Sequence, residues 1–170
     1  MQDSSALWQF SLALYAAPGV SHACIQLQDH WQANINLILW LVWLEQRNQP
    51  VDSDLIVQAE AAIAPWSEQT LQPLRALRRL IGSQRANHTS EANNSNEAIK
   101  EDLYQQLKAA ELLAEKIEQR TLVQLSNELP SLPTINQGSN LNRYLDRLQI
   151  PVTERQELLA CLYTPANIEA

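Results

Sequence analysis

Residues 37–44 read LILWLVWL, eight consecutive apolar residues around which we expect the rest of the chain to pack. They cover every side of a helix, which is typical of a central helix that its neighbours enclose. Asn34, just before the run, is a preferred N-cap residue and supports a helix over 35–46. A buried β-strand is the competing interpretation for so short a run, but the helical patterns around it favour the helix.

Helical patterns continue on both sides of this run. Val20, Ala23, Cys24, Leu27 and Trp31 form one apolar stripe of a preceding helix. The later stripe over 99–117 persists for under three heptads and indicates helix packing, not an extended coiled coil. The sequence predicts helices over about 5–16, 20–31, 35–46, 53–63, 65–81 and 97–127, and two short ones after Asn140 and Thr153.

The stretch 83–96, SQRANHTSEANNSN, has no apolar residue larger than alanine, so we expect a flexible polar loop. Neither half of the chain beside this stretch is large enough to fold stably by itself, which predicts a single domain over 1–170. The fold class is therefore all-α, a compact bundle of about seven or eight helices with one long polar loop. Its predicted core includes Leu7, Trp8, Leu14, Cys24, Leu27, Leu37, Leu41, Leu44, Leu77, Leu103 and Leu107.

Composition argues against several classes of protein. A net charge of −7 over 170 residues argues against nucleic acid or anionic membranes as partners, and three glycines argue against Gly-rich phosphate loops. An apolar run of eight is too short for a bilayer span, which needs about 20 residues. Cys24 and Cys161 form neither a disulfide framework nor a CxxC pair, and the first six residues carry no basic residue. We therefore expect a cytoplasmic protein.

A set of short motifs lies in the first 44 residues. It consists of Tyr15-Ala16-Ala17-Pro18-Gly19-Val20, Ala23-Cys24, Leu27-Gln28-Asp29 and Ile35-Asn36, followed by the apolar run with Trp43. The set resembles a family of small proteobacterial proteins catalogued as a domain of unknown function. Members of that family often carry Gly at the position of Gln32 and Asp at that of Asn34. The resemblance implies an all-helical, cytoplasmic, bacterial protein and no particular activity.

His22, Gln26, Asp29 and His30 form the cluster that most resembles a catalytic site, because an Asp beside a His can orient a general base. His22 and His30 are eight residues apart, about 12 Å along a helix, so they cannot share one metal ion. A solvated polar face explains the cluster more simply. We predict no catalytic residue, no metal site and no cofactor.

A second candidate is a ligand- or partner-binding site of Gln28, Asp29, Asn36, Trp40 and Trp43. A buried amide at position 36 needs partners, and a ligand could supply one. Tryptophan is also enriched in interfaces. The simpler interpretations are helix capping for the short polar residues and core packing for the tryptophans.

Arg75, Arg78 and Arg79 share one helical face, which could contact an acidic partner. The alternative is a solvated face that acidic residues of the following helix partly neutralise. Since catalytic motifs are absent, the leading hypothesis is a non-catalytic protein-interaction module or adaptor with an unidentified protein partner. A helical pocket for a small apolar ligand, with or without turnover, is the alternative, and a transcriptional regulator is third. Self-association stays open.

Overall fold

The computed structural model describes residues 4–86, 94–127, 129–134, 136 and 139–163, and every regular element in these ranges is a helix. The all-α prediction is confirmed, and the competing strand over 37–44 is excluded. In order, the elements are α1 (Ser4–Tyr15), α2 (Val20–Trp31), α3 (Ile35–Gln46), α4 (Ser53–Trp66), a π-helical turn (Ser67–Leu71), α5 (Gln72–Ala86), α6 (Asn94–Leu125), α7 (Ser139–Arg147) and α8 (Val152–Leu162). None of these described helices is long and apolar enough to cross a membrane.

Contacts divide the chain into two compact units. The first unit combines residues 1–62 with residues 119–170, and the second comprises residues 63–118. Helices α4 and α6 each contribute to both units. The single domain over 1–170 stays a prediction.

Helix α3 is the centre of the first unit. Every residue from Ile35 to Glu45 is buried, as expected for a helix that is apolar on all sides. Helices α1 and α7 both pack against it. Its predicted cap is confirmed, since the Asn34 Oδ1 accepts a hydrogen bond from the Leu37 N–H at 3.0 Å.

Glu45, at the end of α3, is buried and holds the C-terminal part of the chain. Its Oε1 accepts hydrogen bonds from the backbone N–H groups of Asn140 at 2.6 Å and Leu141 at 3.0 Å. Its Oε2 accepts from the Tyr163 hydroxyl at 2.5 Å. A carboxylate at the N-terminus of α7 is favoured both by the unpaired N–H groups and by the helix dipole. One acidic side chain therefore fixes both α7 and the end of α8.

The second unit is a helical hairpin. Arg75 pairs with Glu115 and Arg78 with Glu111, so α6 runs antiparallel to α5. The π-helical turn ends at Leu71, two residues before Pro73. Proline has no N–H to donate, and in a regular helix its ring collides with the carbonyl four residues earlier. A π-helical turn is a known solution to such interruptions.

The predicted end of the fifth helix near Ile81 is wrong, because α5 continues through Gly82 to Ala86. A Cβ at Gly82 would lie 3.2 Å from the Tyr104 ring, so a glycine lets α6 approach closely there. The predicted flexible loop 83–96 begins and ends with helical residues, and residues 87–93 lie outside the described ranges.

The predicted core is largely confirmed in the first unit and wrong at two positions in the second. Trp8 is half-buried, and Leu107 is buried as expected. Leu77 and Leu103, however, are 43% and 41% exposed. Both lie on a flank of the hairpin that its own packing does not cover.

Candidate interaction surface

The predicted site around α3 lies in the interior. Trp40 is 0%, Asn36 3% and Trp43 5% exposed. The Trp40 Nε1 donates to the Ser126 hydroxyl at 3.2 Å, and the Gln119 Nε2 donates to the Asn36 Oδ1 at 3.0 Å. The side chain of Gln119 therefore supplies a partner for the buried amide of Asn36, a role that a ligand could have filled.

The other two residues of that predicted site lie on the last turn of α2. Gln28 is half-buried and Asp29 is exposed, while Asn36 and the two tryptophans are buried in α3. The Gln28 carbonyl accepts from the N–H of Gln32, which ends the helix in a left-handed conformation with φ of 56°. The structure does not bring the five residues together as one exposed surface.

Among the candidate arginines, Arg75 and Arg78 form ion pairs within the hairpin. The Arg75 Nη2 donates to the Glu115 Oε1 at 2.7 Å, and Arg78 donates to both carboxylate oxygens of Glu111. The hydrogen bond to Glu111 raises the pKa of Arg78, and burial raises the pKa of Glu115 despite its bond to Arg75. Arg79 is exposed. The arginine face is thus partly occupied by acidic residues of the next helix.

A small open groove lies between α2 and α8, with a volume of about 260 Å³. His22, Gln26 and His30 line one wall, and Glu154 and Glu157 line the other. The α2 wall is recognisable in the sequence, whereas the α8 wall is not, because nothing in the sequence indicates which helix packs opposite α2. The described residues contain no group of three or more His, Cys, Asp or Glu side chains that could hold a metal ion.

The thiol of Cys24, on the helix that forms one wall of the groove, is not activated. Cys24 is on α2 but is buried, and burial together with nearby Cys161 raises the pKa of its thiol to about 12. A thiol with such a pKa stays protonated at neutral pH and is a poor nucleophile. The groove itself offers imidazole and carboxylate groups for polar contacts or proton transfer.

The opposite flanks of the hairpin differ in chemistry. The Arg75–Glu115 ion pair marks one flank. Successive helical residues turn by about 100°, so a residue two positions away lies about 200° around the axis. Leu77 stands two positions from Arg75, and both Leu113 and Ile117 stand two positions from Glu115. These three residues therefore share the flank opposite the ion pair.

That apolar flank extends along α6. Ile99 and Leu103 continue the same row toward the start of the helix, at spacings that keep them on one side. We call Leu77, Ile99, Leu103, Leu113 and Ile117 the hairpin face. Their exposed fractions are 43%, 66%, 41%, 65% and 48%, respectively. The apolar stripe over 99–117, which the sequence predicts to pack within the fold, is therefore largely open to solvent. Of its leucine and isoleucine residues only Leu107, on the side of α5, is buried.

Comparison with known proteins places the chain in a family. A search of curated proteins found no significant match, and a search of solved structures also found none. The sequence matches the model of a family described as "Protein of unknown function (DUF2390)" over residues 6–122. This stretch covers α1 to α5 almost completely and most of α6, and it confirms the resemblance to a domain of unknown function. The chain belongs to the DUF2390 family of proteins of unknown function.

Proposed function

We propose that the protein is a non-catalytic helical interaction module that docks α-helical protein segments on the hairpin face. The observation that carries the proposal is the exposure of five large aliphatic side chains, 41–66% each, on one flank of two packed helices. Exposed apolar area costs about 25 cal/mol per Å², and contiguous patches of this kind mark interaction sites in soluble proteins.

The spacing of the hairpin face favours a helix as the docked element. Ile99, Leu103, Leu113 and Ile117 repeat along α6 at intervals that match the ridges of another helix. Leu77 of α5 widens the row, so that a partner helix would contact two helices rather than one. An extended peptide binds by pairing with the exposed edge of a β-sheet. The described part of the hairpin is helical throughout and has no such edge.

The alternatives have less support. A small apolar ligand at Asn36, Trp40 and Trp43 would have to displace core contacts. Enzymatic turnover could use the groove between α2 and α8. A transcriptional role would need a basic surface, but the chain carries a net charge of −7, and Arg75 and Arg78 are already engaged with glutamates.

We also propose that the module works in the bacterial cytoplasm. Both cysteines are free thiols, and a buried thiol such as Cys24 is typical of proteins from reducing compartments. The bacterial origin rests on the motif pattern described above.

Site-specific photo-crosslinking tests docking on the hairpin face. The photoreactive residue p-benzoylphenylalanine would replace Leu113 in the full chain, in its native cells, and the adducts would be identified by mass spectrometry. Leu112 is the matched control, because it is also exposed, at 41%, but is turned by about 100° from its neighbour. We expect a discrete protein adduct, mapped to a helical segment, from position 113 and not from 112. No adduct at 113, or equal adducts at both positions, would refute the proposal.

A further inference from the structure

We propose that the protein docked on the hairpin face is a second copy of this chain, with the two α6 helices packed antiparallel. This inference rests on the proposed function and names the partner for the same surface. Three independent features of α6 support it: the spacing of its apolar residues, their symmetry about one point, and the charges beside them.

The exposed row of α6 has the spacing of a helix-pairing seam. Ile99, Leu103, Gln106, Ala110, Leu113 and Ile117 follow one another at intervals of four, three, four, three and four residues. This alternation is the a/d pattern by which two helices pack side by side. From residue 99 to 117 the seam is about 27 Å long at 1.5 Å per residue.

The seam is symmetric about residue 108. Ile99 and Ile117 are nine residues from that point, and Leu103 and Leu113 are five residues from it. An antiparallel pair with its two-fold axis at this level would place isoleucine on isoleucine and leucine on leucine. Such a contact is closed and self-complementary, which is the usual geometry of homodimers.

The centre of the seam also favours the antiparallel arrangement. Gln106 and Ala110 are each two residues from the symmetry point, so each long Gln would face a small Ala of the second copy. A parallel pair in register would instead stack Gln on Gln and leave a gap between two alanines. Polar residues in such seams commonly decide orientation and register.

Charges beside the seam complement each other in the same arrangement. Asp102 and Lys116 both precede a seam residue, Leu103 and Ile117 respectively, and occupy equivalent flanking positions. In the antiparallel pair, Asp102 of each copy faces Lys116 of the other, which gives two ion pairs. Asp102 already accepts a hydrogen bond from Gln106 at 2.8 Å, so its carboxylate is positioned beside the seam. Opposite charges at flanking positions set partner choice and orientation.

The first test is the mass of the untagged full chain in solution, measured by sedimentation equilibrium over a wide concentration range. We expect a monomer–dimer equilibrium. Leu113→Glu places two buried charges in the seam and should weaken the dimer at least tenfold. The control Leu112→Glu, outside the seam, should leave the dissociation constant within twofold. A chain that stays monomeric throughout, or two variants with equal effects, would overturn the inference.

A charge exchange tests the proposed pairing of Asp102 with Lys116. Asp102→Lys and Lys116→Asp should each weaken the dimer several-fold, because each single change places like charges opposite one another. The double variant restores opposite charges and should recover the wild-type dissociation constant. Additive losses in the double variant would exclude the pairing. Circular dichroism of all variants verifies that the helices are intact.

Disulfide capture tests the orientation. In the antiparallel pair, residue 99 of one copy lies beside residue 117 of the other. A mixture of Ile99→Cys and Ile117→Cys chains should therefore give a covalent heterodimer under mild oxidation, whereas neither variant alone should cross-link. Cross-linking of Ile99→Cys with itself would indicate a parallel pair and refute the inference. If the chain is monomeric but position 113 photo-crosslinks to a different protein, the second copy is excluded while the docking function stands. If neither occurs, both proposals fail.

Discussion

Gln119 and Asn36 are joined by a buried hydrogen bond, 3.0 Å from the Gln119 Nε2 to the Asn36 Oδ1, across 83 residues of sequence. The same nitrogen donates to the Ser11 hydroxyl at 3.0 Å. The two side chains are 2% and 3% exposed. The side-chain amide of Gln119, on α6, therefore links α1 and α3 to α6 by hydrogen bonds inside the first unit. It also gives the polar residue of the most apolar helix a buried hydrogen-bond partner.

Replacing Gln119 by Leu should destabilise the fold by about 1–3 kcal/mol, because buried acceptors on Ser11 and Asn36 lose this donor. Urea unfolding at neutral pH measures the change. The control is the double variant Asn36→Leu with Gln119→Leu, which removes both amides together. We expect its loss to be smaller than the sum of the two single losses, since paired polar groups are coupled. Additive losses would show that the two amides do not interact.

Gly19→Ala should be strongly destabilising for two separate reasons. Gly19 has φ of 84°, and a Cβ there would lie 2.7 Å from the Cys161 Sγ. We expect a loss of about 2–5 kcal/mol, from the left-handed backbone and from overpacking. Adding Cys161→Ala removes the collision and should recover part of the stability but not the backbone contribution. Full recovery, or none, in thermal unfolding would show that only one of the two causes operates.

Glu45→Ala should cost about 3–5 kcal/mol, as expected when a buried, hydrogen-bonded carboxylate is deleted and its partners remain. The loss of anchoring should appear first in α7 and the end of α8, as faster amide hydrogen exchange there than in α2. Glu45→Gln retains an acceptor for the Asn140 and Leu141 N–H groups and should cost clearly less. Tyr163→Phe removes a single contact and is the milder reference. Equal losses for the two Glu45 variants would contradict this anchoring role.

The raised pKa of the Cys24 thiol predicts that the free energy of unfolding depends on pH in the alkaline range. Its pKa is about 12 in the fold and 9.0 in its ordinary state, because burial opposes the thiolate. The fold therefore retains a proton that the unfolded chain releases. The contribution of this thiol is fully present below pH 9 and decreases as pH rises toward 12, by up to about 1.4 kcal/mol per pH unit.

Urea unfolding of wild type and Cys24→Ala at pH 8, 9.5 and 10.5 isolates this contribution. We expect the stability difference between the two proteins to shift in favour of Cys24→Ala as pH increases, because other titrating groups are common to both. A difference that stays constant over this range would show that the thiol is not protected. Alkylation of the native protein at pH 8.5 should correspondingly leave Cys24 unmodified.

Sequence predicted the first unit well because its signals are redundant. The run over 37–44, the cap at Asn34 and the apolar stripe of α2 all indicate the same arrangement, and burial follows the apolar pattern there. In α6 the pattern is misleading. The side packed against α5 carries Glu111, which is 8% exposed because it pairs with Arg75 and Arg78. Leucine at position 103 consequently lies on the outer flank.

The candidate sites, too, could be predicted from the sequence only in part. The polar α2 wall of the groove was visible in the spacing of His22, Gln26 and His30, but Glu154 and Glu157 meet it only through the tertiary fold. Trp40 and Trp43 were ambiguous because burial and interface formation use the same residue type. The hairpin face could not be recognised in advance, since a stripe of aliphatic residues is identical whether it packs inside the chain or outside it.

The contacts of Glu45 also bear on how this chain folds during synthesis. Its partners lie 95 to 118 residues further along the sequence, at Asn140, Leu141 and Tyr163. Closing such long loops is slow, whereas the hairpin of α5 and α6 forms from neighbouring segments. The side of α3 that contacts α7 therefore stays uncovered until α7 has left the ribosome. For a helix as apolar as α3, that interval is the period of greatest exposure to aggregation and to chaperones.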